Sequence, residues 1–156
     1  MRNTCFFTGH REAPAQLYEA LAAAVHRHIT EYGVTEFVVG HYGAFDRMAA
    51  RAVREAKRLH PGVSLLVLLP YYPDRAGNLL AGEADGTFYP PGMESVPKRL
   101  AIVRANRYMV EHCEYLIAYA QHPGNARELV EYAAARERRG LIRVENLAEN
   151  TPRTPL

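Results

Sequence analysis

The sequence predicts an α/β protein, a Rossmann-like three-layer sandwich with a five-stranded parallel sheet and helices on both faces of it. Three observations lead to this prediction. Short apolar segments of strand length alternate along the chain with longer segments whose apolar residues recur every three or four positions. The apolar segments are hydrophobic almost throughout, as in Val63–Leu69, which is typical of strands covered on both faces. Strands of this kind separated by helices favour a parallel sheet, here in the order 3-2-1-4-5.

The first half of the chain accounts for three strands and two helices. Residues 4–8 are β-prone and end at Gly9, and residues 14–32 have helical spacing, with a proline in the first turn and Gly33 at the carboxyl end. The second strand, the second helix and the third strand are predicted at 36–40, 45–60 and 63–69.

The regular pattern lapses over residues 70–97, a loop of a length that is usually functional or mobile. It then returns as a helix, a strand, a helix and a strand at 97–113, 115–119, 126–139 and 141–145. The 156 residues suit one domain over 1–145, and the prolines and asparagines that follow predict a flexible tail over 146–156.

Composition excludes several classes of protein. Hydrophobic residues make up 48% and charged residues 23%, which rules out wholesale disorder. Nineteen basic against 17 acidic residues give a net charge of +2, so binding to nucleic acid by charge alone is not expected. No apolar run has the roughly 18 residues that cross a bilayer and no signal peptide is visible, so we expect no membrane partner and a cytoplasmic protein.

Metal and disulfide chemistry are not expected either. Two cysteines, Cys5 and Cys113, are too few for a disulfide scaffold or a four-ligand zinc site. The seven histidines form none of the spacings that bind metal. We therefore predict buried, reduced thiols and no metal site.

The end of the first predicted strand combines a hydroxyl, a glycine, an imidazole and a guanidinium, in Thr8, Gly9, His10 and Arg11. Because open parallel sheets bind ligands at the carboxyl ends of their strands, these residues are candidates for binding an anion. The alternative is an ordinary turn with solvated side chains.

The second strand end contains Gly40 and Gly43, a relaxed form of a dinucleotide-binding turn that lies directly before a helix. Backbone N–H groups at a helix start attract phosphate. Asp46, in the first turn of that helix, is expected either to cap it or to bind a ribose hydroxyl.

The third strand end has Gly124 and Asn125, residues that tolerate positive φ, followed by Arg127 in the first turn of a helix. A basic residue there opposes the helix dipole and so indicates a bound anion, unless it is simply solvated. Arg104 and Arg107 share one face of the preceding helix, as a ligand-binding pair or as a solvated stripe.

These motifs together resemble the SLOG superfamily, named for the Smf/DNA-processing proteins and the LOG phosphoribohydrolases, and in particular its small bacterial YoqJ/YpsA-like branch of uncharacterised proteins. The residues that carry the resemblance, over about 4–145, are Cys5–Arg11, Gly40, Gly43, Phe45 and Asp46, Asn106–Met109, and Tyr132 with Ala133. The resemblance implies a Rossmann-like fold with a nucleotide or an ADP-ribose-like ligand at the strand ends, and it adds Phe45 and Asn106 to the candidate ligand-binding residues.

The sequence also departs from the pattern of the LOG hydrolases. Leu129 stands where their catalytic glutamate would be, and Glu128 is one position away, which turns it by about 100° around the helix. We therefore expect a nucleotide-binding, sensor-like protein and no enzyme.

Two alternatives stay open. One is a nucleotide N-glycosidic hydrolase of the phosphoribohydrolase type, with a general acid among Glu128, Asp46 and Glu83. The other is a single-stranded DNA-binding module, which the nearly neutral charge disfavours. The sequence does not decide whether the protein forms a homo-oligomer.

Overall fold

The computed structural model describes residues 3–40, 43–71 and 84–150. Its centre is one parallel sheet of six strands. In chain order the strands are β1 (Thr4–Gly9), β2 (Glu36–Val39), β3 (Ser64–Leu68), β4 (Gly86–Phe88), β5 (Tyr115–Tyr119) and β6 (Arg143–Asn146). The helices are α1 (Leu17–Thr30), α2 (Ala44–Lys57), α3 (Lys98–His112), α4 (Asn125–Glu137) and α5 (Leu147–Asn150), with a 3-10 turn at Met93–Ser95.

The strand order is β4-β3-β2-β1-β5-β6, and every neighbouring pair is parallel. This confirms the predicted class, and the order predicted for five strands holds for β3-β2-β1-β5-β6. The predicted number of five strands was wrong. The additional strand is β4, which lies within the predicted loop, where three residues pair with Leu66, Val67 and Leu68 at the edge of the sheet. A strand this short, with no apolar run, leaves no pattern for the sequence to show.

The beginning of the predicted tail is also secondary structure. Asn146 is the last residue of β6, and α5 follows directly, with Leu147 buried against the core. The amide group of Asn146 binds both backbone groups of Ala120, with its Nδ2 donating at 3.0 Å and its Oδ1 accepting at 3.1 Å. That contact with a residue 26 positions away cannot be read from local composition. Residues 151–156 lie outside the described part of the chain.

Alternation along the strands divides the core between the two faces of the sheet. Phe7 of β1 packs with α1 and α2 on one face, and Phe6 packs with α3 and α4 on the other. None of the helices in the described ranges has both the length and the apolar character needed to cross a bilayer. The thiols of Cys5 and Cys113 are buried and free, as predicted.

The topology of the sheet also determines where a ligand-binding crevice can form. From β1 the chain runs through α1 to β2 on one side, and from β5 it runs through α4 to β6 on the other side. Since β1 and β5 are adjacent and their connections leave in opposite directions, a crevice opens beyond their carboxyl ends.

Candidate functional site

Gly9 ends β1 beneath an aromatic ring. A Cβ on Gly9 would overlap the ring of Phe45, the second residue of α2. Phe45 is fully buried, and its ring stacks on Tyr119 with 6.2 Å between centroids and 22° between planes. Phe45 was predicted to bind ligand, but it packs α2 onto the ends of β1 and β5.

Gly43 brings the turn before α2 against the turn after β1. Its φ of 179° is ordinary extended backbone, so the torsion does not require glycine. Space does require it, because a Cβ there would lie 2.6 Å from the Cα of Arg11. The N–H of Ala44 donates to the carbonyl of Arg11 at 2.7 Å. This contact fixes the backbone of Arg11 and leaves its side chain exposed.

A cavity of about 160 Å³ lies beyond the carboxyl ends of β1, β2 and β5. We call it the larger cavity, to distinguish it from a smaller cavity that adjoins it. It is lined by Phe6, Phe7, Thr8, Gly9, Arg11, Gly40, Gly43, Asp46, Ile102, Asn106, Asn125 and Ala126. Residues from all three predicted strand ends, together with Asn106 of α3, therefore meet in one place. Phe6 and Ile102, which line the apolar side, had no feature in the sequence that distinguished them from core residues.

The electrostatics of the larger cavity favour an anion. The helices α2 and α4 both begin at a glycine, Gly43 and Gly124, with no side-chain cap. Helix N-termini carry unsatisfied N–H groups and a partial positive charge, and the start of α4 lines the cavity. The guanidinium of Arg11 forms no ion pair with any described residue. One cation and two helix starts therefore face the same space.

Asp46 brings one carboxylate into this cationic setting. A Cβ on Gly40 would lie 2.9 Å from its Oδ2, so glycine at position 40 makes room for the carboxylate. Asp46 is half-buried in the first turn of α2 and lines the larger cavity. A carboxylate repels a phosphate and accepts hydrogen bonds from hydroxyl groups. The cavity can therefore hold a ligand that carries both an anionic group and a hydroxyl group.

A smaller cavity of about 40 Å³ adjoins the larger one, and the two share Asn106 and Asn125. It is also lined by Val103, Arg107, Glu128 and Leu129. The guanidinium of Arg107 lies over the ring of Tyr132, 4.8 Å from the centroid. In the described part of the chain, the side chains of Asn106 and Asn125 accept and donate no hydrogen bond. These amide groups are available to a ligand that spans both cavities.

His10 was predicted to bind ligand, and it lies behind the larger cavity. Its Nε2 accepts the backbone N–H of Gln121 at 2.8 Å and that of His122 at 3.4 Å. Its ring stacks on the His122 ring at 3.7 Å. Burial lowers the pKa of His10, and the neighbouring His122 lowers it further. The neutral ring thus supports the turn that leads into α4.

The remaining candidates lie outside both cavities. Arg104 is exposed to solvent on α3. Arg127 is held by two contacts, with its Nε 3.5 Å from the carboxylate of Glu131 in the same helix and its Nη1 donating to the Gln121 carbonyl at 3.4 Å. Gly124 has a φ of 151°, a torsion that favours glycine, and so shapes the turn.

The last candidates to place are metal ligands and a general acid. Among the residues described, no three His, Cys, Asp or Glu side chains are grouped so as to hold a metal ion. Glu83, a candidate general acid, lies outside the described residues, as do His41 and Tyr42.

Comparison with known proteins supports the fold. No family model matches the sequence, and no curated protein matches it. Among solved structures, the chain is similar to DNA processing protein A (DprA) from Streptococcus pneumoniae, with a TM-score of 0.60 and 17% identity. The match covers 86% of this chain and 47% of the DprA chain, so this chain spans about half of that protein. The chain therefore has a fold similar to that of part of the DprA chain.

Proposed function

We propose that this protein is a member of the SLOG superfamily that binds a nucleotide or a nucleotide-derived molecule at the carboxyl ends of β1, β2 and β5. The observation that carries the proposal is the larger cavity, where the starts of two helices without a side-chain cap meet Arg11 and two asparagine amide groups, none of which has an ion pair or hydrogen bond from its side chain to the described residues. Open α/β sheets bind ligands in this crevice.

Each lining group has a chemical task in this proposal. Arg11 and the first N–H groups of α4 bind phosphate oxygens, for which a guanidinium fork and a helix start are both suited. Asp46 accepts a hydrogen bond from a ribose hydroxyl. Asn106 and Asn125, which line both cavities, contact the part of the ligand that extends from the larger cavity into the smaller one.

Isothermal titration calorimetry with ribose 5-phosphate, AMP and ADP-ribose tests the proposal. We expect at least one of these to bind, and Arg11→Ala to weaken that binding by about tenfold or more, since hydrogen bonds to charged groups contribute about 1.5–3 kcal/mol. Arg104→Ala is the matched control, because it removes the same charge from outside both cavities. Equal losses in the two variants would mean that only overall charge matters and would contradict the proposal.

The fold likeness favours a second candidate, binding to single-stranded DNA. The similar solved structure is that of a protein named for DNA processing, so the expectation that nucleic acid is not a partner has no support from the comparison. Fluorescence anisotropy with a labelled single-stranded oligonucleotide tests this candidate. Binding that weakens steeply with salt and is lost in Arg11→Ala would favour it, because phosphate contacts release counterions.

We propose that the protein is not an N-glycosidic hydrolase. Leu129 is buried where a hydrolase would need its glutamate, although Glu128 is exposed at the edge of the smaller cavity. Chromatography of AMP after incubation with the protein provides the test. Release of free adenine that is lost in Glu128→Gln would overturn this view.

A further inference from the structure

We infer that His10 is a positioning residue whose neutral ring holds the β5–α4 turn, residues 120–124, in the shape that binds ligand, and that protonation of this ring releases the turn. The ligand-binding consequence rests on the function proposed above. The state of the turn itself can be measured without ligand.

The hydrogen bonds of His10 require a neutral ring. Nε2 accepts N–H groups from both Gln121 and His122, so it must present a lone pair, and the ring proton must be on Nδ1. A protonated imidazole has two N–H donors and no acceptor. Protonation would therefore place an N–H group against two other N–H groups, and both hydrogen bonds would be lost.

The surroundings of His10 hold the ring in place and disfavour its protonation. The His122 ring is parallel to it, with 8° between the planes, and Tyr119 of β5 contacts it edge-on at 5.5 Å. The charged groups nearby are cationic, namely Arg11 next in the chain and Arg127 of α4, which contacts the Gln121 carbonyl. Burial and then the His122 ring lower the pKa of His10, and no carboxylate of the described residues offsets them.

In the described part of the chain, the side chains that β6 and α2 place near the turn do not titrate. From β6, the Asn146 side chain binds the N–H and the carbonyl of Ala120 at the start of the turn, and an amide group does not titrate. From α2, the neutral ring of Phe45 stacks on Tyr119. The start of the turn is thus held at any pH, while the backbone N–H groups of Gln121 and His122 in its middle are bound by neutral His10.

The turn leads directly into the part of α4 that lines the larger cavity. Asn125 and Ala126 follow Gly124, and both line that cavity. When Gln121 and His122 lose their contacts with His10, the turn that leads into α4 loses the side-chain support that it receives from the residue after β1. We therefore expect anion binding to weaken as the pH falls toward acid values, because fewer helix N–H groups remain in position.

The state of His10 can be tested first on the ligand-free protein, by ¹⁵N NMR of its imidazole and by amide exchange at Gln121. At about pH 7.5 we expect the Nδ1–H tautomer and a slowly exchanging Gln121 amide, and on acidification we expect both to change together. His122→Phe keeps a stacking ring and removes the second imidazole, so this variant should retain the transition. An Nε2–H tautomer at neutral pH would overturn the inference.

Ligand binding is then measured with ADP-ribose, whose pyrophosphate does not titrate between about pH 5 and 7.5. The wild-type affinity should fall about fivefold or more over that range, the size of effect expected when hydrogen-bond partners are lost. His10→Gln offers an acceptor that does not titrate, so its binding should not vary with pH. His10→Phe has no acceptor and should bind weakly throughout.

The outcomes separate the two proposals. If ADP-ribose binds and His10→Gln keeps the wild-type pH dependence, the inference about His10 is wrong and the binding site stands. If no ribose phosphate or nucleotide binds at about pH 7.5, the proposed function fails, and the NMR measurements still decide the role of His10.

Discussion

At the scale of single residues, Gly9 and Gly43 are glycines because neighbouring protein atoms leave no room for a side chain. Glycine at a strand end suggested close approach to an anion, and both residues do line the larger cavity. What excludes a side chain at these positions is the ring of Phe45 in one case and the backbone of Arg11 in the other. These contacts join the end of β1 and the turn after it to the start of α2, and so assemble the site.

The first prediction concerns Gly43→Ala. Because the φ of 179° suits any residue, the added methyl group acts only through its clash with the Arg11 backbone, and we expect a loss of about 1–3 kcal/mol in unfolding free energy. Urea denaturation measures this loss. Gly62→Ala is the control, since a Cβ there meets nothing within 4 Å. Equal stability of the two variants would show that the turns do not pack as described.

The second prediction concerns Arg11 and Arg107. They line adjacent cavities that share Asn106 and Asn125, so we expect both to act on one ligand. Each alanine variant should weaken the binding of AMP by about 1.5–3 kcal/mol, and the double variant should lose less than the sum, because contacts in one network are not additive. Calorimetry on all four proteins gives the coupling energy. Strict additivity would contradict a shared ligand.

At the scale of elements, α4 is held at its start by contacts from two strands. His10, directly after β1, binds the backbone N–H groups in the middle of the preceding turn, and Asn146 at the end of β6 binds the backbone at its beginning. The arrangement places α4 accurately with no side-chain cap on its own first turn. Its N–H groups consequently stay available for a ligand.

The third prediction separates stability from binding with two asparagines. Asn146→Ala leaves the backbone groups of buried Ala120 without partners, which should lower the unfolding free energy by about 1–3 kcal/mol. Asn125→Ala removes an exposed amide group that has no hydrogen-bond partner among the described residues, so it should weaken ligand binding at nearly unchanged stability. Thermal unfolding and calorimetry on each variant check the pair. The reverse pattern would show that the roles are assigned wrongly.

At the scale of the whole molecule, buried histidines link stability to pH. His28 is buried in the core between Tyr32 and Tyr115, and its Nδ1 donates to the carbonyl of Ala24 at 2.7 Å. Burial lowers the pKa of His28, and burial together with His122 lowers that of His10. The unfolded chain therefore binds more protons than the folded one just below the ordinary histidine pKa of about 6.5.

The fourth prediction follows from this difference in proton binding between the unfolded and the folded chain. The stability that these two histidines provide is present above about pH 6.5 and is lost as the pH falls below it, so the melting temperature should decrease between about pH 7 and 5. Thermal unfolding at several pH values measures the slope. His28→Gln should reduce it, whereas exposed His112→Gln should leave it unchanged. A melting temperature that is flat over this range would contradict the neutral state of both rings.

The sequence by itself determined the class and most of the elements. Strands buried on both faces of a parallel sheet, such as β1, β3 and β5, are apolar almost throughout, and that pattern needs no knowledge of partners. The sequence also predicted where the candidate site lies, because parallel strands present their carboxyl ends at one edge of the sheet. Thr8, Arg11, Gly40, Asp46 and Asn125 were found in this way, and all five line the larger cavity.

Only the tertiary structure decided which contacts the other predicted residues make. β4 exists because a sheet edge offers backbone partners to three residues that have no strand pattern of their own. His10 supports a turn 111 positions away, and Phe45 fills the space above Gly9. Arg127 turns toward Glu131, and Arg104 toward solvent. The type and spacing of residues show which groups a strand end can offer, but hydrogen bonds and packing between distant segments decide which of those groups remain available to a ligand.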